Sequence, residues 1–125
     1  MEDKKLTLDS EKFDKLLDDI REASFETLKR KNGKYAAGGN RLHNFTMGGD
    51  IFGGTPAQAC WGYLTKHLVA LRDMVERNDF CDIEDLKEKC TDSINYICFL
   101  WCIGYATEME RRKGMCCNAG EEKKP

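Results

Sequence analysis

Thr55-Pro56-Ala57-Gln58-Ala59-Cys60-Trp61-Gly62-Tyr63-Leu64-Thr65-Lys66-His67-Leu68-Val69-Ala70-Leu71-Arg72-Asp73-Met74-Val75 decides the fold. Its first four residues spell a capping box. A threonine oxygen can take one free amide of the first turn, the glutamine three residues on can return a bond, and proline at the first helical position supplies a fixed φ. Trp61, Leu64, Leu68, Leu71 and Val75 then recur at helical spacing. A helix is expected from Pro56 to about Asn78, with those five residues as its apolar stripe.

Downstream, a second long helix is expected to open at Asp82, where Glu84 and Asp85 suit the positive end of the helix dipole. Ile83, Leu86, Cys90, Ile94, Ile97 and Trp101 carry its pattern. From Ile94 to Ala106 every face is apolar except at Asn95, so this half should be central in a bundle or covered by another subunit. Arg111, Arg112 and Lys113 suit the negative end, and Gly114 is the expected stop, leaving residues 115–125 as a loose tail after a single domain over 1–114.

Upstream, seven glycines fall between Gly33 and Gly54. A short helix around Arg41 to Met47 fits this stretch, with Gly48-Gly49 fraying it, and Asp50-Ile51-Phe52 is expected to dock through its two apolar side chains. Before the glycines, Phe13, Leu16, Leu17, Ile20, Ala23 and Leu28 share one face of a helix from about Glu11 to Lys31, capped by Asp9 or Ser10. No segment has strand periodicity. The class is all-α: a bundle of three long helices plus a short one, with a glycine-rich loop between the first and second long helices.

A chain of 125 residues with 41% hydrophobic and 34% charged residues matches one ordinary folded domain. The net charge of −2, with acids and bases interleaved, excludes the basic face of a duplex nucleic-acid binder. The apolar run at Ile94–Ala106 is shorter than the roughly 18 residues of a membrane span. Met1-Glu2-Asp3-Lys4-Lys5 has no apolar core behind it, so a cytoplasmic chain is expected, with its seven cysteines as free thiols.

Glu88, Asp92 and Asn95 stack on one helix face. A buried carboxylate needs a partner, and two are in view for Asp92: Lys66, or a divalent cation such as Mg²⁺ held by Glu88 and Asp92 with water and substrate phosphates. Lys66 reads either as a phosphate-binding point charge or as a rim lysine whose stem covers apolar surface. His67 has no orienting partner along the sequence and reads as a boundary histidine. Arg41 and Asn44 lie among glycines, where backbone amides and a guanidinium fork can approach an anion; the plain alternative is a cover loop with Phe45 and Ile51 plugged into the core. Phe45, Phe52 and Trp61 are candidate stacking partners for a base. Cys98 and Cys102 lack a second ligand pair, which argues against zinc.

Asn40-Arg41-Leu42-His43-Asn44-Phe45, Thr55-Pro56, Lys66-His67, Leu71-Arg72-Asp73 and the run from Glu88 to Tyr96 resemble, in that order, small phage-encoded proteins of the nucleotide-modification-associated type. These are in turn similar to all-α, MazG-like nucleoside triphosphate pyrophosphohydrolases. The resemblance spans about residues 35–105 and rests most on Asp92-Ser93-Ile94-Asn95-Tyr96 with Glu88 one turn before. It implies an oligomeric nucleotide protein in which paired acids on two successive helices hold Mg²⁺ against a triphosphate. Glu88 and Asp92 match one pair, as catalytic and metal candidates. At the other pair this chain has Lys66, His67 and Ala70, with Asp73 and Glu76 further on. Lysine in place of a ligand carboxylate leaves an anion site and removes a metal site. The resulting expectation is a phage protein that binds or sequesters a phosphorylated nucleotide, including a cyclic signalling nucleotide used in host defence, with Arg41, Asn44, Lys66, His67, Asp92 and Asn95 as ligand-binding residues. Two alternatives stand beside it: a Mg²⁺-dependent pyrophosphohydrolase completed by Asp14, Asp18 or Glu22, and a non-enzymatic inhibitor that binds a host protein.

Overall fold

The computed structural model describes residues 5–30 and 39–117. Among them are four helices: α1 (Ser10–Arg30), α2 (His43–Phe52), α3 (Pro56–Arg77) and α4 (Ile83–Cys117). The all-α class is as expected. None of these helices is long and apolar enough to cross a membrane.

The helix starts follow local chemistry. Asp9 Oδ1 accepts from the amide of Lys12 at 2.8 Å, and Asp82 Oδ1 from that of Asp85 at 3.0 Å. At α3 the capping box closes in both directions: Gln58 N donates to Thr55 Oγ1 at 3.1 Å, and Thr55 N to Gln58 Oε1 at 2.8 Å. The same helix ends at Asn78, which takes the left-handed conformation with φ 52°. Its successor passes the expected stop. α4 continues through Gly114 to Cys117, because Gly114 does not adopt the left-handed geometry that ends a helix.

The core sits where α2, α3 and α4 meet. Phe45, Cys60 and Ile103 form its centre, with Leu42, Ala57, Tyr96, Phe99 and Leu100 packed around them. Leu64 and Ala59 complete the buried apolar set. On α3 the covered face therefore runs Cys60–Leu64–His67–Leu71–Met74, while Trp61, Leu68 and Val75 are exposed. The expected stripe is rotated by about one residue.

The two glycine pairs act differently from expectation. α2 runs unbroken through Gly48-Gly49, and both glycines are buried. A Cβ on Gly48 would lie 3.1 Å from the Tyr63 hydroxyl and 3.2 Å from Ala59 Cβ; one on Gly49 would lie 2.8 Å from the carbonyl carbon of Thr55. Their missing side chains let α2 lie directly on α3. Gly53, with φ 74°, then ends α2. Asp50-Ile51-Phe52, the end of α2, does not dock on the core: Ile51 is 74% and Phe52 77% exposed. With Gly48 and Gly49 already filling the contact face of α2, Ile51 reaches only the rim of a cavity beneath this helix and Phe52 stays in solvent.

α1 meets α4 through its second half, where Ser24 is buried and Ile20, Ala23, Thr27 and Leu28 are partly covered. Phe13, Leu16 and Leu17 continue the same periodic stripe but remain about half exposed.

Cys60 shows what the core does to chemistry. It has no solvent exposure, its Sγ donates to the carbonyl of Tyr96 at 3.4 Å, and burial pushes its thiol up to about 11. Thiolate is the reactive form, so Cys60 should stay unmodified in the native protein while exposed Cys102 reacts with a maleimide; mass spectrometry of quenched samples checks this, and early labelling of Cys60 would contradict the packing. Between pH 9 and about 11 the unfolded chain loses this proton first, so the group's contribution to stability falls as pH rises through that window.

Candidate functional site

The segment before α2 is tied back by Arg41. One guanidinium nitrogen, Nη2, donates to the carbonyl of Leu28 at 2.6 Å, satisfying an acceptor in the last turn of α1. The fork has further donors, and Arg41 lines a cavity of about 520 Å³. That cavity lies between α3 and α4, beneath α2, with Thr27 and Leu28 of α1 at its side.

Five of the six expected ligand-binding residues line it together: Arg41, Asn44, His67, Asp92 and Asn95. Phe45, Tyr63, Tyr96 and Phe99 make an aromatic wall. Phe45 packs on Phe99 with centroids 4.9 Å apart, and on Tyr63 and Tyr96 at 6.0 and 6.4 Å.

His67 has the orienting partners that the linear sequence did not reveal. Its Nδ1 lies 3.8 Å from Asp92 Oδ2, and its ring stacks on Tyr96 at 5.3 Å with an interplanar angle of 23°. Both members of the His67–Asp92 pair are mostly shielded from solvent. Lys66, expected opposite Asp92, is exposed and is absent from the cavity lining. One residue along a helix turns the side chain by about 100°, so the rotation of α3 that buries Cys60 brings His67 inward and carries Lys66 out.

Asn95 is the most enclosed polar group of the site. It is 5% exposed, and its Oδ1 has no hydrogen-bond partner among the described residues. A buried acceptor left unmatched costs about 1–3 kcal/mol, so its position at the cavity invites a donor from a bound molecule. Thr91 Oγ1, one turn earlier on α4, and Ser24 Oγ on α1 are buried and unmatched in the same way.

Other candidates lie elsewhere. Glu88 is exposed and outside the lining, and so are Asp14, Asp18 and Glu22 of α1; Asp18 pairs with Arg21 at 3.2 Å. Among the described residues no three His, Cys, Asp or Glu side chains gather as a ready metal-ligand group. Phe52 and Trp61 are exposed away from this cavity, so of the three stacking candidates Phe45 alone belongs to its wall. Cys98 and Cys102 are free thiols. The side chains of Cys116 and Cys117 lie outside the described residues.

Neither a family model, nor a curated protein, nor a solved structure matches the chain. Tyr63 and Phe99 are among the cavity residues missed in sequence, and Tyr96 entered only as the end of the Asp92–Tyr96 motif; the signal was local, since Tyr63 sits one turn before His67 on α3 and Tyr96 one turn after Asp92 on α4.

Proposed function

We propose that this chain binds a small phosphorylated nucleotide in the cavity between α3 and α4 and holds it without turning it over. The observation that carries this reading is the convergence of Arg41, Asn44, His67, Asp92 and Asn95 on one aromatic-walled cavity of about 520 Å³. Such a volume and lining suit a nucleotide-sized ligand, with most of the surface apolar and a few polar groups fixing orientation. In this reading the base lies along Tyr96 and Phe99, Asn95 Oδ1 accepts from an amino or imino group of the base, and Arg41 faces phosphate. Asp92 lies on the Nδ1 side of His67 at 3.8 Å, which leaves the other ring nitrogen for the ligand.

Charge narrows the class. Among the described residues Arg41 is the one permanently cationic side chain of the lining, and Asp92 offsets it. A single phosphate charge, as in a nucleoside monophosphate or each link of a cyclic dinucleotide, is compatible with that inventory, whereas a triphosphate needs further cations. Tight holding of a signalling nucleotide in the host cytoplasm, to the benefit of a phage, is the biological role we attach to this site.

Thermal-shift measurements against nucleoside mono-, di- and triphosphates and cyclic nucleotides, with and without Mg²⁺, test the reading. A ligand at one hundred times its dissociation constant adds about 2.7 kcal/mol of apparent stability. Arg41→Ala and Asn95→Ala should each remove most of that shift, and Lys66→Ala should leave it intact. Silence across the panel rejects the nucleotide reading. Release of pyrophosphate with Mg²⁺, lost in Asp92→Ala, replaces holding with hydrolysis.

A further inference from the structure

The apolar half of α4 has two sides, and the fold covers only one. Asp92, Asn95, Tyr96, Phe99 and Ile103 point to the cavity and the core. On the opposite side, Ile83, Ile94, Ile97, Trp101 and Tyr105 are 37% to 70% exposed, Trp101 most of all. Their spacing is that of a packing seam: Ile83, Lys87, Cys90, Ile94, Ile97 and Trp101 alternate steps of four and three. Trp101 and Tyr105 lie against each other with ring centroids 6.1 Å apart.

Among the described residues no element lies over this side. Residues 118–125, Asn-Ala-Gly-Glu-Glu-Lys-Lys-Pro, carry no large apolar side chain, and residues 31–38 carry one, Tyr35. The five exposed side chains offer on the order of 600 Å² per copy, most of the roughly 800 Å² that each partner contributes to a standard stable interface. A competing stripe on α3, Trp61–Leu68–Val75, is broken by Thr65 and Arg72 between its members.

We infer that the seam is the interface of a two-fold homodimer in which the α4 helices of two copies pack antiparallel. Charge and the helix dipoles bear on the direction, although Glu108 is already paired with Arg111 and Arg112 of its own chain. The helical spacing puts Lys87 near one end of the seam and Glu108 near the other. Glu108 stays ionised over the whole physiological range, because hydrogen bonds from Arg111 and Arg112 hold its carboxyl down to about 2. A parallel pair would stack Lys87 on Lys87 and Glu108 on Glu108. An antiparallel pair brings the lysine end of one copy to the glutamate end of the other, and it opposes the two helix dipoles. The same patch then serves both partners, as an isologous interface requires.

The experiment is the solution mass of the full chain by analytical ultracentrifugation across a concentration series, with no nucleotide present. Twice the chain mass of 14.3 kDa is expected at tens of micromolar. Trp101→Glu and Ile97→Glu should each weaken association at least 100-fold, with helical circular dichroism retained because both side chains are exposed in the single copy. Leu68→Glu on α3 should leave the dimer intact. Lys87→Glu should weaken it about five-fold at low salt, and Lys87→Glu with Glu108→Lys should recover it. A monomeric wild-type chain, or a dimer indifferent to both Trp101→Glu and Ile97→Glu, overturns the interface. A charge swap without recovery overturns the antiparallel order.

Discussion

Gly49→Ala should destabilise the protein by about 2 kcal/mol, whereas Gly62→Ala should stabilise it by roughly 0.5–1 kcal/mol, although both glycines are interior to helices. In an open helix, alanine is favoured over glycine because it has less backbone freedom to lose on folding. Gly62 is such a site: a Cβ built there meets nothing within 4 Å. Gly49 is the opposite. Its Cβ would come within 2.9 Å of three backbone atoms, the carbonyl carbon and oxygen of Thr55 and the oxygen of Gly54. Those atoms belong to the turn held by the capping box, so they cannot swing aside as a side chain can. Gly48→Ala should fall between the two, because its contacts are with Tyr63 and Ala59 side chains, and the Tyr63 ring has room to give. Urea denaturation midpoints at one fixed protein concentration measure all three; a Gly49→Ala protein as stable as wild type would mean that α2 is not seated on α3 as described.

That contrast also shows where sequence reasoning succeeds and where it stops. Helix starts were legible because caps are local: Thr55 and Gln58, Asp82 and Asp85, and Asp9 and Lys12 meet across three residues whatever surrounds them. The role of Gly48-Gly49 was not, because a glycine that frays a helix and one that lets two helices touch are the same letter until the neighbour is known. The face of α3 was misjudged for a related reason. Trp61 and Leu68 are larger and more apolar than Cys60 and His67, so size pointed to the wrong side of the helix. Burial is decided by the space between α2 and α4, and a small cysteine fits there where tryptophan does not. One residue of rotation then changes the chemistry, placing His67 rather than Lys66 beside Asp92. The cavity polar set fared better. Asp92 and Asn95 lie three apart on α4, a spacing that keeps them together under any rotation, and Arg41 and Asn44 are similarly close across the start of α2.

Phe45→Ala should have the largest effect of any single truncation, a loss of about 3–5 kcal/mol. Phe45 is 5% exposed and touches Tyr63, Tyr96 and Phe99, so it joins α2 to both long helices of the core. Nothing else on α2 shares that work: its other buried residues are Gly48 and Gly49, while Met47, Ile51 and Phe52 are exposed. Removing the ring should leave α2 with a close backbone contact to α3 and no side-chain anchor. The loss should then be uneven, and hydrogen exchange can resolve it. Amides of α2 should exchange faster by more than the drop in global stability explains, while those of α3 and α4 near Leu64 and Ile103 track the global value. Phe45→Leu, which keeps an apolar plug, should cost well under half as much and preserve α2 protection. Since α2 roofs the cavity, Phe45→Ala should also lose nucleotide binding even at temperatures where α3 and α4 remain folded. Uniform exchange throughout the Phe45→Ala chain, with α2 as protected as α3, would show that α2 is held by contacts other than this ring.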